Sequence, residues 1–200
     1  MSNNKAVLLS IQPVWCKKIL DGEKTMEVRK TRPRLETPFK VYIYCTLAGS
    51  DSLFMDVLNR DVAAWNRGGW PDKRGRVIAE LTCDEVYKVD RDSVGFNFTA
   101  PSLDLPIYTM PENNDEHRNV QREELTTCLT DEQLSKYLGI HPGWGWHISN
   151  LKIYDQPRPL SDFTRLRATK FGYEPVEIKK PPQSWCYVEE AHEWRNDCTE

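Results

Sequence analysis

The chain lacks any apolar run near the roughly 18–20 residues that a membrane-crossing helix needs. Its opening residues, MSNNKAVLLSIQP, lack the long apolar stretch of a secretory leader. The expectation is a cytoplasmic protein with no membrane partner. There is no Cys-x-x-Cys pair; Cys16, Cys45, Cys83, Cys128, Cys186 and Cys198 are scattered, three of them inside the apolar stretches VYIYCT, IAELTCDEV and SWCYVEE. Such cysteines read as buried free thiols rather than zinc ligands or disulfides. Cys186, His192 and Cys198 come nearest to a cluster, but their spacing matches no common metal motif. Neither a metal nor another cofactor is expected. Gly-rich phosphate loops and a Ser-His-Asp signature are missing too, which removes the best-marked routes to phosphoryl transfer and serine hydrolysis.

A net positive charge is also lacking. The formal charge is −3 over 200 residues, so no global field holds this protein on bulk nucleic acid. The charge is uneven, however. Residues 22–34 carry Lys24, Arg29, Lys30, Arg32 and Arg34 against Glu23 and Glu27, and DKRGR (72–76) adds a small basic knot. Residues 189–200 are acidic, with five acids against Arg195. Any nucleic-acid contact is therefore local to the basic stretch.

What is present is apolar and aromatic. Hydrophobic residues make up 39% of the chain, with seven Trp, eight Tyr and six Phe, enough for a sizeable core in a single domain. AVLLSIQ (6–12) reads as a strand buried on both faces. Pro13 follows where a helix starts at no cost, Trp15/Ile19 and Cys16/Leu20 form one helical stripe, and Gly22 stops it. TMEVRK (25–30) is the next strand, TRPRLETP (31–38) a proline-broken connector, and KVYIYCT (40–46) a strong strand. Helical spacing recurs over 50–67, GGWPDKRG (68–75) is a turn with Trp70 as a candidate lid residue, and RVIAELTCDEVYKVD (76–90) is one long strand or two bent ones. Residues 91–130 look irregular and are expected to form an insertion. Thr130 with Gln133 marks a capping box for a short helix over 130–139. WGWHISNLKIYD (144–155) and SWCYVEE (184–190) are strand-like, with QPRPLSDF (156–163) a connector and 164–183 a loop. About six strands and three or four short helices, with no βαβ rhythm or long repeat, predict an α+β domain built on a small mixed β-barrel with short flanking helices.

The polar chemistry concentrates in GEKTMEVRK (22–30). Strand alternation sets Thr25, Glu27 and Arg29 on one face and Met26 and Val28 on the other. Residues two apart on a strand lie roughly 6.5–7 Å apart, so the three can meet over one ligand, or Glu27 and Arg29 can simply pair on a solvated face. Lys24 at the turn is placed to serve a phosphate, or to act as base or nucleophile where burial lowers its pKa. Amide hydrolysis needs a proton acceptor for water and a donor to the oxyanion; Glu27 and Lys24 fit those catalytic roles, with Thr25 or Arg29 helping. Trp144 and Trp146 in HPGWGWH are a candidate stacking platform, though alternation with Ile148 favours Trp146 as core. Tyr42 and Tyr44 share a strand face, and Tyr44 is a candidate cleft wall. His147 reads as a hydrogen-bonded histidine of the core margin.

Ser10, Ile11 and Pro13, then Gly22, then Lys24, Glu27 and Arg29 in the order S-I-x-P and G-x-K-x-x-E-x-R resemble the ASCH domain family, related to the PUA-like fold. VYIYCT, GRVIAELTCDEV, GWHISNLKIYDQPRPL and PPQSWCYVEE extend the resemblance to the larger phage and bacterial ASCH proteins, over most of 5–190. The resemblance implies a single pseudo-barrel domain over residues 1–200, with a cleft facing the Lys-x-x-Glu-x-Arg strand and Ser10 contributing at the strand end. It implies binding of RNA or a modified nucleotide or nucleobase. A small bacterial member is an amidohydrolase of N4-acylated cytidine that uses a lysine, a threonine and a glutamate. Its lysine falls on Lys24, its threonine position on Glu27, and its distant glutamate on none in particular of Glu80, Glu85, Glu123 or Glu124. The first expectation is thus nucleotide or RNA binding and the alternative a metal-independent nucleoside amidohydrolase; a third, of another class, is a phage-derived protein-interaction module in which the acidic residues 189–200 and the 91–130 stretch matter most.

Overall fold

The computed structural model of the chain describes residues 5–47, 74–93, 95–102, 106–108, 125–170 and 172–190. The helix expected over 50–67 and the loop residue Trp70 lie outside them, as do His192 and Cys198. Twelve strands and two α-helices are seen among the described residues: β1 (Lys5–Ile11), α1 (Pro13–Leu20), β2 (Met26–Arg29), β3 (Phe39–Cys45), β4 (Arg76–Cys83), β5 (Val86–Arg91), β6 (Phe96–Thr99), β7 (Ile107–Tyr108), α2 (Asp131–Leu138), β8 (Gly143–His147), β9 (Ser149–Arg158), β10 (Thr164–Thr169), β11 (Gly172–Glu177) and β12 (Trp185–Glu189). They build one five-stranded sheet in the order β12-β1-β3-β4-β9, a second in the order β2-β8-β5-β6-β7, and a two-stranded ribbon β10-β11. Only β1 and β3 run parallel; the other pairs are antiparallel. The class is α+β, as the sequence predicts, and the described strands form sheets laid against one another as a small pseudo-barrel, with no closed barrel among them.

The stretch 76–90 resolves into two strands on different sheets. The chain leaves the first sheet at Cys83, turns through Asp84 and Glu85, and enters the second at Val86. The partner stretch does the same at Ile148, between β8 and β9. The two corners are tied together: the His147 N–H donates to the Glu85 carbonyl at 3.0 Å, and the Ile148 N–H to the Thr25 carbonyl at 2.8 Å. Strands that switch sheets at a shared corner bring the two sheets face to face.

Three apolar layers result. In the middle, Val7, Leu9, Ile11, Val41, Ile43, Cys45, Ile78 and Leu81 from one face of the first sheet meet Cys16 and Ile19 of α1 and Trp146 of the second sheet. On the far face of the first sheet, Ala6, Leu8, Tyr42, Tyr44, Val77 and Tyr154 pack with Phe163 and Ile178, which flank the ribbon. On the outer face of the second sheet, Met26, Val28, Tyr87, Val89, Phe96 and Phe98 are covered by Leu134 and Leu138 of α2. Gly145 makes this third layer possible, because a Cβ there would sit 2.5 Å from the Met26 sulfur.

Two segments read as irregular are ordered. The described part of 91–130 contributes β6 and β7 to the second sheet, where Phe96 and Phe98 are core residues. The supposed loop 164–183 holds the β10-β11 ribbon, paired from Thr164↔Glu177 to Thr169↔Gly172. Its strands carry alternating charges and Pro175, a pattern that a two-stranded ribbon tolerates and a central strand does not. β9 likewise runs through Pro157 to Arg158, which its place at a sheet edge permits.

The Thr130 capping box is complete: its hydroxyl accepts from the Gln133 N–H at 3.2 Å, and its own N–H donates to Gln133 Oε1 at 3.0 Å. Thr130→Ala therefore lowers stability by about 1 kcal/mol. Thermal denaturation should show a fall of roughly 2–4 °C for a chain of this size, and an unchanged midpoint would mean that α2 is held by packing alone.

Candidate functional site

All four residues of β2 are buried. Met26 and Val28 point into the outer layer under α2, so Glu27 and Arg29 must point the other way, into the space between the sheets. The charged face that alternation alone would allow to be solvated is turned inward. Register fixes its neighbours: Glu27 lies opposite Trp146 and Arg29 opposite Trp144 on β8, and directly paired residues of an antiparallel ladder share a face. Glu27, Arg29, Trp144 and Trp146 thus form one polar–aromatic wall.

The charges form a chain. Lys24 leaves 2% of its surface exposed, Glu27 8% and Arg29 9%. The Lys24 ammonium donates to the Thr127 carbonyl at 2.6 Å, lies 3.3 Å from Glu27 Oε2, and sits 5.4 Å from the ring centroid of Trp15 on α1. The Arg29 guanidinium reaches Glu27 Oε1 at 2.9 Å and donates to the Ser10 carbonyl at 2.8 Å. The sequence Thr127–Lys24–Glu27–Arg29–Ser10 therefore stitches the second sheet to the first. Two cations and one anion leave a buried charge of +1. At an effective dielectric of about 20, unit charges about 3 Å apart attract by roughly 5 kcal/mol, while each desolvated ion costs several kcal/mol. The unit is close to balance, and depends on both of Glu27's contacts.

Two donors on this wall stand out. The Nε–H of Arg29 and the indole N–H of Trp146 are buried without a hydrogen-bond partner among the described residues. The Trp146 ring is held edge-on against Phe39 and Trp185, with centroids 5.9 Å away in each case.

The remaining sequence-predicted residues are placed as follows. Thr25 precedes β2; its hydroxyl accepts from the Thr126 N–H at 2.8 Å, and its N–H donates to the Thr126 carbonyl, fastening the segment that carries Thr127. Ser10 presents its carbonyl to Arg29, while its hydroxyl donates to the Pro182 carbonyl at 2.7 Å. Tyr44 lies in the far layer, on the face of β3 opposite Ile43 and Cys45, and burial raises its phenol pKa. Lys24, Glu27, Arg29 and Trp146 are brought together; Tyr44 is separated from them by the first sheet. Glu80, a candidate second carboxylate, accepts from Tyr154 at 2.7 Å in that far layer, and Glu85 accepts from the Tyr87 hydroxyl at 2.6 Å. Glu123 and Glu124 are outside the described residues. His147 is half-buried at the sheet corner, with Nδ1 2.6 Å from Asp84 Oδ1.

Sequence reasoning missed two members. Thr127 acts through its backbone carbonyl, for which no side-chain signal exists. Trp15 was legible as part of the apolar stripe of α1, but not as the ring under Lys24. Close by, the Cys16 thiol is pushed well above its usual pKa by burial and by its contact with Cys45. No cluster of His, Cys, Asp or Glu suited to a metal is found among the described residues, and no described helix is long and apolar enough to cross a membrane.

No family model and no curated protein matches this sequence. Among solved structures, the chain is similar to ASCH from Zymomonas mobilis, with a TM-score of 0.46 and 15% identity over 94% of this chain and 90% of that one. A serine-to-alanine mutant of the same organism's ASCH protein gives 0.48 and 14% over 95% and 92%. A tyrosine-to-phenylalanine mutant gives 0.46 and 14% over 92% and 91%.

Removing Glu27 leaves two buried cations facing each other. Glu27→Ala should cost about 3–5 kcal/mol in urea denaturation. Glu23→Ala, which breaks only the exposed pair with Lys18, should cost less than about 1 kcal/mol. Equal small losses for both would show that the buried chain carries no stability.

Proposed function

We propose that this chain is an ASCH-type protein that binds a nucleotide, or an RNA element presenting one unstacked base, at the Glu27–Arg29–Trp146 wall. The observation that carries the reading is the pair of buried donors, Arg29 Nε–H and Trp146 Nε1–H, that have no hydrogen-bond partner among the described residues and lie beside a glutamate whose own oxygens are held by Lys24 and Arg29. A buried donor without an acceptor costs roughly 1–3 kcal/mol. The carbonyl oxygens and ring nitrogens of a base are acceptors of the right kind, and a ligand that supplies them recovers that cost. The local charge of +1 favours an anionic or electron-rich ligand, while the overall charge of −3 keeps the interaction local.

Binding ranks ahead of amide hydrolysis because the candidate carboxylates among the described residues are committed. Glu27 bridges two cations, and Glu80 and Glu85 serve Tyr154 and Tyr87. It ranks ahead of a protein-interaction module because Glu27 and Arg29, although paired with each other as that reading expects, are buried rather than on open surface.

Calorimetric titration with the four ribonucleoside monophosphates and with modified cytidines should give saturable binding of at least one. Arg29→Lys keeps the charge but removes the Nε–H and the planar fork, and should weaken that binding about tenfold. Chromatography of the same mixtures reports deacylation; turnover of an N4-acylcytidine would restore the hydrolase reading. Absence of heat with every ligand would dispose of the site.

A further inference from the structure

Immediately after the buried wall, the chain leaves β2 as Lys30-Thr31-Arg32-Pro33-Arg34. Pro33 is buried and Leu35 packs against the middle layer, while Lys30, Arg32 and Arg34 are exposed. Aromatic side chains from separate elements fasten this stretch. The Lys30 ammonium lies 5.3 Å from the Tyr137 ring of α2, and the Arg32 guanidinium 4.9 Å from the Trp144 ring of β8. The Trp185 indole N–H donates to Thr31 Oγ1 at 3.0 Å, and the Arg34 N–H to the Tyr187 hydroxyl at 2.7 Å. No ion pair joins Lys30, Arg32 or Arg34 to an acid among the described residues. Glu189 and Glu190 beyond Tyr187 are engaged with Thr164 and Lys40, and Glu36 is exposed further along the loop.

A connector needs none of this cationic charge to cross the strand ends. Lys30 and Arg32 rest on rings, and none of the three cations pairs with an acid among the described residues; Lys30 and Arg32 are thus held in place before any partner arrives, which lowers the ordering cost of binding a polyanion. A guanidinium held over a ring keeps its N–H edges for phosphate oxygens and its free face for a base. Trp144, which carries Arg32, is the cross-strand partner of Arg29, so the arm begins at the edge of the base-binding wall.

We propose that residues 30–34 form a phosphate-tracking arm, and that the ligand is consequently a single-stranded nucleic acid, one base of which enters the wall, rather than a free nucleotide. The proposal rests on the base-binding reading for the role of the wall, but the arm can be tested separately. Protein binding is disfavoured because the exposed groups are dominated by three cations that have no ion-pair partner among the described residues.

The test measures anisotropy of a labelled twelve-nucleotide single-stranded RNA between about 50 and 200 mM salt, for the wild type and for Lys30→Gln/Arg32→Gln/Arg34→Gln. Glutamine preserves side-chain length and much of the packing over the rings; Arg34→Glu alone is a milder second variant should the triple one melt early. For single strands the logarithmic salt slope falls by about 0.7 per phosphate contact. The triple variant should therefore lose about two units of slope and bind at least tenfold more weakly at low salt. The best mononucleotide should bind both proteins within about twofold. Wild-type affinity and slope in the triple variant and in Arg34→Glu would overturn the arm, as would tighter arm-dependent binding to anionic phospholipid vesicles than to RNA. Loss of mononucleotide binding in Arg29→Lys with the RNA slope intact marks wall and arm as separate. RNA binding that depends on the arm, with no mononucleotide bound by the wild type, would remove the wall reading and leave the arm. A DNA strand of the same sequence reports whether the sugar is read.

Discussion

Glu27 holds two cations that would otherwise repel one another inside the protein, and most of the architecture converges on that fact. Its carboxylate accepts from Lys24, which leans on the carbonyl of Thr127 and the ring of Trp15, and from Arg29, which reaches the carbonyl of Ser10. Those contacts draw in α1, the end of β1, the segment ahead of α2, and both main sheets. A neutral, well-packed side chain in place of each charge is often as stable in such positions. The charged version brings something else: a wall of fixed polarity, with donors whose directions are set by the fold.

The corners explain how that wall is presented. β4 and β8 each end where the chain crosses from one sheet to the other, and the two crossings share the Glu85 and Thr25 carbonyls as anchors. β2 is the edge strand of the second sheet, and a flat extension of either strand would have left its Glu27 facing water. Bending both places β2 under α1 and against the middle layer. The sequence signal for this is slight, because Asp84-Glu85 and Ile148 are only brief interruptions in otherwise unbroken strand patterns.

Legibility in the sequence followed the physics of each element. The start of the chain was readable because Pro13, the Trp15/Ile19 stripe and Gly22 are local signals with local causes, and the Thr130–Gln133 box is another. Lys24, Glu27 and Arg29 could be singled out because charge on a short strand after a glycine turn is unusual. Their burial could not be, since a strand with charges on every second residue looks the same whether that face meets water or a second sheet. Tyr44 shows the same limit in reverse: its parity with Tyr42 was evident, yet which layer that parity selects depends on the Phe163–Ile178 cover, far along the chain. The ribbon β10-β11 was missed because its strands have too few apolar residues to declare a buried face.

The bonds that complete this region have very long reach along the chain. Lys24 finds Thr127 across 103 residues, Trp185 finds Thr31 across 154, and Ser10 finds Pro182 across 172. Closing loops of that size costs entropy before any contact compensates it, which slows folding in proteins dominated by such pairings. The bond from Lys24 to the Thr127 carbonyl therefore forms only once those distant segments have met. A chain in which those segments have not met shows solvent the Lys24 cation that the native protein buries.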